Sequence, residues 1–169
     1  MKFKAFIFLL FAIVATNQSI AQKTVVEIAV GSPAHTTLVA ALKAGGLVET
    51  LQGAGPFTVF APTNDAFGKL PAGTLESLLK PESKATLVKI LTYHVVAGDF
   101  DAGAVIKAIK AGKGSAKLKT VSGGTLTASL KDGKVILTDE TGKTSTVITA
   151  DLKAGNGVVH VVDAVVLPK

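Results

Sequence analysis

The sequence contains no cysteine, no tryptophan, no arginine and a single tyrosine among its 169 residues. Without cysteine there is no disulfide framework, no thiolate metal site, no lipid-modified cysteine and no thiol nucleophile, so packing alone must hold the fold. Without arginine the chain lacks the planar fork that reads phosphate, carboxylate and guanine in bidentate fashion, and all 18 basic residues are lysine. Aromatic platforms are scarce too, since four of the eight phenylalanines (Phe3, Phe6, Phe8 and Phe11) fall near the start. Stacking of bases or sugars is poorly provided for, and no nucleic-acid partner is expected.

Long apolar runs are also missing, with one exception. After the basic Met1-Lys2-Phe3-Lys4 comes AFIFLLFAIV, then a polar ATNQ and the small residues Ser19 and Ala21 at signal-peptidase spacing. That order predicts a secretory signal peptide over residues 1–21, cleaved near Ala21, because the apolar core is short for a membrane span. The mature chain, 22–169, is expected to form one domain outside the cytoplasm, secreted or periplasmic, with no transmembrane segment. Losing Lys2 and Lys4 takes the formal net charge from +6 to +4.

What is there divides into two halves. From Thr24 to about Gly112 the apolar spacing is mostly helical. Leu38, Ala41 and Leu42 stand at i, i+3 and i+4, Gly45-Gly46 is a stop, and Leu47, Val48 and Leu51 resume the stripe. Thr74 is placed to cap TLESLL, Pro81 to open a helix burying Leu87, Val88, Ile90 and Leu91, and Asp99 or Asp101 to open AGAVIKAIKAG. The second half alternates with period two. TLTASL and KVILTD flank Asp132-Gly133, the signal of a tight antiparallel hairpin, and Glu140 to Lys143 make the next turn. Asn156-Gly157 precedes VVHVVDAVVLP, apolar on both sides and so a central strand. The fold class is α+β.

Reactive constellations are few. Thr141-Gly142-Lys143-Thr144 looks like part of a phosphate loop, but Leu137 stands where its first glycine belongs and a β-branched strand comes after it, so it reads as a turn. The sequon at Asn17 lies in the leader. His35, His94 and His160 have no ligand spacing, no carboxylate pair suggests acid–base catalysis, and neither a metal, a cofactor nor an enzymatic activity is expected. Lys107, Lys110, Lys113, Lys117 and Lys119 crowd a short helix and the glycine-rich loop after it, a candidate polyanion-binding cluster for a polysaccharide or membrane surface. In GPFTVFAPTNDAF (Gly55 to Phe67), Phe57 and Val59 face one way and Thr58 and Phe60 the other. Pro62 ends the pairing, Thr63 or Asn64 caps the turn or helix that seats Ala66 and Phe67, and Asn64 and Asp65 read as a joint rather than a catalytic site.

On GPFTVFAPTNDAF, on Tyr93-His94 and on NGVVHVVDAVVLP (Asn156 to Pro168), the chain resembles the fasciclin-like FAS1 domain family from about Thr24 to Lys169, in its single-domain secreted bacterial form. The resemblance implies a wedge of two mainly antiparallel β-sheets with packed N-terminal helices, acting in cell adhesion or in binding an extracellular or envelope protein or polysaccharide. A single copy would bridge two bodies through a weak homodimer, through two faces or through a multivalent polymer. In animal members the Tyr-His neighbourhood and an Asp-Ile pair are implicated in integrin binding. Here Tyr93, His94, Asp151 and Leu152 stand at those places, with leucine in place of isoleucine and no RGD, so the surface location carries over and the integrin does not. Some fasciclin-like proteins bind carotenoids, which makes an apolar small molecule, carotenoid or lipid, the alternative ligand class.

Overall fold

A computed structural model describes residues 22–169, and the leader read over residues 1–21 lies outside the described residues. The order is α1 (Val25–Val30), α2 (Thr36–Gly45), α3 (Val48–Gln52), β1 (Phe57–Pro62), α4 (Asn64–Gly68), α5 (Thr74–Leu78), α6 (Lys84–Tyr93), β2 (Val95–Ala97) and α7 (Ala102–Ala111). Then come β3 (Ser115–Lys119), β4 (Thr125–Lys131), β5 (Lys134–Thr138), β6 (Thr144–Ala154) and β7 (Gly157–Val162). Single 3-10 turns at Pro33–His35 and Pro81–Ser83 lead into α2 and α6.

Local chemistry explains most boundaries. Thr24 and Glu27 form a reciprocal capping box on α1, and Gly46 ends α2 in the left-handed region at φ 70°. Asp101, of the two aspartates expected at α7, is its cap, accepting from Ala104 N at 2.7 Å. Thr74 does not cap α5: Gly73, at φ 79°, occupies the entry position, and Thr74 is already the first helical residue. The Asp132-Gly133 hairpin forms as read, with φ of 52° and 77°.

The strands lie in the order β2-β1-β7-β6-β5-β4-β3. All neighbours are antiparallel except β1 and β7, which run parallel with Phe57 opposite Gly157 and Pro62 opposite Val162. The expected two sheets share β6, whose first residues pair with β5 and whose remainder pairs with β7. The sheet curls until Val96 of β2 bridges Thr120, just past β3, so it nearly closes. The final strand is central as expected, though it ends at Val162 rather than running to Pro168.

Alternation on β1 and β7 splits the core in two. Val59, Ala61 and Val159 point outward to meet Val25, Leu38, Leu42, Leu87 and Leu91 of the helical layer. Phe60 and Val162 point inward to meet Tyr93, Val105 and Ile109, with Leu118, Leu126 and Leu137 from the far strands. Helix α7 therefore packs against the inner face, while the remaining helices cover the outer face only around β1 and β7. Around β3, β4, β5 and the start of β6, the outer face carries no helix of those two cores.

Candidate functional site

Asp151 and Leu152 sit where β6 carries an extra residue. Thr149 faces Val161 and Leu152 faces Val159, so three steps on β6 oppose two on β7. Asp151 adopts φ 61° at this bulge. Its carboxylate accepts from Ala102 N at 2.7 Å, and its amide donates to His160 Nδ1 at 3.3 Å. With Nδ1 accepting, His160 carries its proton on Nε2 and donates to the Phe100 carbonyl at 2.7 Å. Thr58 completes the anchorage: its hydroxyl donates to Gly98 O at 2.7 Å and accepts from Phe100 N at 2.9 Å. The bulge, β7 and β1 thus together pin the segment that leads into α7. Leu152 packs its side chain on the helical core.

Tyr93 and His94 end α6, and both are buried, at 0% and 3% exposure. The Tyr93 hydroxyl donates to Thr125 O at 2.8 Å and accepts from Glu140 N at 3.2 Å. Burial pushes this phenol up to about 12, against the Glu140 amide bond that opposes the shift, with the negative charges of Glu140 and Asp139 adding to it. His94 donates from Nδ1 to Ile90 O at 2.8 Å and accepts Val166 N at Nε2 at 3.2 Å. Its full burial brings the imidazole down to about 4 despite the Ile90 hydrogen bond and the charge of Asp139. Asp139 in turn accepts from Leu167 N, and Ser145 exchanges hydrogen bonds with the backbone of Ala164, so the terminal segment is stitched down along its length. The Tyr-His pair is thus closed off from solvent, and Glu140 is the exposed side chain beside it.

The joint read in GPFTVFAPTNDAF is there, and Asn64 is its centre. Thr63 caps α4 through Ala66 N, while Asn64 accepts from Thr36 Oγ1 and Thr37 N and donates to Pro33 O, fastening the start of α2. Asp65 is exposed and makes no hydrogen bond through its side chain among the described residues. Asn156, which the sequence marked only as a turn residue, is a second joint. Its amide reaches Leu51 O and Gly53 O, and its oxygen accepts Val25 N.

The five lysines do not share one surface. Residues 115–119, expected as part of a loop, are strand β3, with Ala116 and Leu118 turned inward toward α7. Lys117 and Lys119 alternate with them and point outward, whereas Lys107 and Lys110 lie on α7 at the opposite side of the sheet. Lys113 sits in the connecting turn at φ 58°.

A cleft of about 330 Å³ opens between α1 and the β6–β7 strands, lined among others by Ile28, Ala61, Ile148, Leu152 and Val161. His35 reaches it with 4% exposure. Nδ1 pairs with Ser32 Oγ at 2.8 Å, but Nε2 has no partner of good geometry, the Ala61 carbonyl offering partial compensation only. Burial lowers this imidazole's pKa. Sequence reasoning missed the cleft because no local spacing joins α1 to β6. Among the described residues no three histidines, aspartates or glutamates converge as metal ligands, and no helix is long and apolar enough to cross a membrane.

A helical layer over a nearly closed sheet, with its motif side chains turned to backbone partners, defines an α+β scaffold domain. The chain belongs to the fasciclin family: the family model described as Fasciclin domain matches residues 33–168. The chain is 51% identical over 157 residues to Protein sll1483 of Synechocystis sp., covering 93% of this chain and 80% of that protein. It is 34% identical over 159 residues to Immunogenic protein MPB70 of Mycobacterium bovis, covering 91% and 74%. Among solved structures it is similar to a FAS1 domain pair from the insect cell adhesion molecule Fasciclin I, with a TM-score of 0.75 and 19% identity. That match covers 88% of this chain and 52% of the pair, so the chain spans about half of that structure, and the likeness concerns the fold.

Proposed function

We propose that the protein is an exported, non-enzymatic interaction module acting in cell adhesion or in attachment to the envelope or extracellular matrix. Membership of the fasciclin family supports this reading, as does a fold shared with an insect cell adhesion molecule. The observation that carries it is the destination of the motif polar groups. Thr58, Asn64, His94, Asp151 and His160 each bond to backbone within the fold, which supports reading them as parts of a scaffold rather than of a reacting centre. Residues 22–169 act as one domain once the leader is removed. Affinity capture from envelope and culture-matrix fractions of the native organism, followed by mass spectrometry, is expected to recover a specific macromolecular partner. Recovery of none, together with one tight small-molecule ligand, overturns the proposal.

A second reading rests on the cleft beside α1. Its volume of about 330 Å³, its apolar lining and the unpaired Nε2 of His35 suit an apolar molecule with one hydrogen-bonding group, a carotenoid or lipid. Protein purified from its source would then carry a visible chromophore or extractable lipid. A colourless, lipid-free protein that shows no spectral shift with added carotenoid ends that reading.

A further inference from the structure

The outer face of β3, β4, β5 and the start of β6 differs from every other surface of the sheet in what it carries. Register fixes which residues share it. Lys117, Thr127, Thr138 and Thr144 form one row across four strands, and Ser115, Ser129, Ile136 and Thr146 form the next. Lys119 faces Thr125 at one end, and Lys131 faces Lys134 beside the hairpin at the other. Ile136 is the single apolar side chain in this set. The inward residues of the same strands, Ala116, Leu118, Leu126, Ala128 and Leu137, are core.

Two features mark this face as unfinished. The hydroxyls of Ser115, Thr125, Thr127, Ser129, Thr138, Thr144 and Thr146 make no side-chain hydrogen bond among the described residues. The inward hydroxyls of Thr58, Thr120 and Ser145, by contrast, are all paired. The four lysines likewise form no ion pair there, the one salt bridge among the described residues being Lys69 with Asp163. Lys131 and Lys134 stand directly opposite each other, an arrangement that repels rather than stabilises. The carboxylates beside this face are engaged or marginal, Asp163 accepting from Thr146 N at 2.7 Å and pairing with Lys69. Asp132 is at the hairpin tip, and Glu140 is held by the amides of Thr125 and Lys169.

We propose that this face binds an extended acidic polysaccharide, with Lys117, Lys119, Lys131 and Lys134 meeting its carboxylates or sulfates and the threonine and serine rows meeting its hydroxyls. The proposal rests on the reading of the protein as an exported interaction module and names its partner class. Charge complementarity selects an anionic polymer. The rows offer donors and acceptors at about 4.8 Å across strands and about 6.8 Å along them, a regular lattice over which an extended sugar chain can wrap on the outside of the curled sheet. Nucleic acid fits less well, since the face has no arginine and no aromatic side chain to take a base. An anionic bilayer would need a band of apolar side chains to insert, and Ile136 with the exposed Ile148 just beyond the rows on β6 is too few for one.

The test uses the mature chain and three immobilised probes, polygalacturonate, single-stranded DNA and anionic phosphatidylglycerol vesicles, with neutral dextran as control. Wild type is expected to bind polygalacturonate at low salt, with affinity falling as salt rises. Replacing Lys117, Lys119, Lys131 and Lys134 by Gln is expected to weaken this by about tenfold or more, and replacing Lys107 and Lys110 by Gln to change it by about twofold or less. Thr127→Val with Thr138→Val keeps charge and shape and is expected to cost about threefold or more. Circular dichroism and a thermal midpoint confirm that each variant folds, and the Lys117→Gln/Lys119→Gln protein gives a milder substitute if the quadruple variant does not. No binding to polygalacturonate, equal losses per lysine from the α7 pair, or tighter binding to DNA or vesicles overturns the proposal. If it fails while affinity capture recovers a protein partner, the module reading stands; if both fail, both are wrong.

Discussion

Nε2 of His94 accepts the backbone amide of Val166 at 3.2 Å, tying the end of α6 to a segment 72 residues further along the chain. The bond requires a neutral ring, and this gives the fold a pH dependence of defined sign. The folded protein keeps the imidazole unprotonated down to about pH 4, whereas an unfolded chain protonates it near 6.5. The contribution to stability is complete above pH 6.5, declines as pH falls through this window, and is exhausted at about 4, for a loss of about 3 kcal/mol. Burial of His35 adds in the same direction. Urea unfolding at stepped pH is expected to show this slope in wild type and a flatter one in His94→Phe; equal slopes would refute the assignment.

Tyr93 is the one tyrosine and there is no tryptophan, so phenolate absorbance reads this residue alone. Its folded value of about 12 lies above the unfolded one near 10, so its contribution is present below pH 10 and is lost as pH rises toward 12. Absorbance and circular dichroism are expected to change together in an alkaline titration. A phenolate that appears near pH 10 in folded protein would count against the burial described. Tyr93→Phe, which strands Thr125 O and Glu140 N, is expected to cost about 1–3 kcal/mol in urea unfolding.

Asn64 and Asp65 are neighbours with unequal duties. Asn64→Ala removes the acceptor of Thr37 N and the donor to Pro33 O, and is expected to lower stability by about 1–3 kcal/mol. Asp65→Ala, on the exposed side, is expected to stay within about 0.5 kcal/mol. Thermal melts of the two variants side by side check the contrast, and equal destabilisation would show that the joint is built differently.

Asp151 combines a left-handed backbone with a bond to Ala102 N. Asparagine tolerates both demands, so Asp151→Asn is expected to remain within about 1 kcal/mol of wild type. Valine tolerates neither, and Asp151→Val is expected to lose about 2 kcal/mol or more. Urea midpoints of the pair separate backbone and carboxylate effects when Asp151→Gly is measured with them. Wild-type stability in the valine protein would contradict the bulge geometry.

How much of the fold and site was legible in the sequence depended on whether the signal was local. The Asp132-Gly133 hairpin, the cap at Asp101 and the alternation of Phe57 to Phe60 are written in neighbouring residues and formed as read. Thr74 misled because Gly73 supplies the same helix entry through its backbone. SAKLK was hidden as a strand by Gly112 and Gly114 before it, and by lysines that made alternation look like a charge run. That error merged lysines from two sides of the sheet into one cluster. The cleft at His35 joins α1 to β6 and β7, which no window of sequence contains, while the Asp151–His160 contact depends on a bulge in β6 and the hydroxyl rows on four successive strands keeping one register.

The parallel pairing of β1 with β7 joins strands far apart in sequence, from Phe57 opposite Gly157 to Pro62 opposite Val162. A contact of such sequence separation forms only after a large loop closes, so the domain has a high contact order and is expected to fold slowly for its size. Before β7 arrives, β1 has β2 as its only sheet neighbour, and the apolar edge made by Val59 and Ala61 is open to other chains. The middle of the sheet therefore stays open until β7 has been made, whichever compartment the chain folds in.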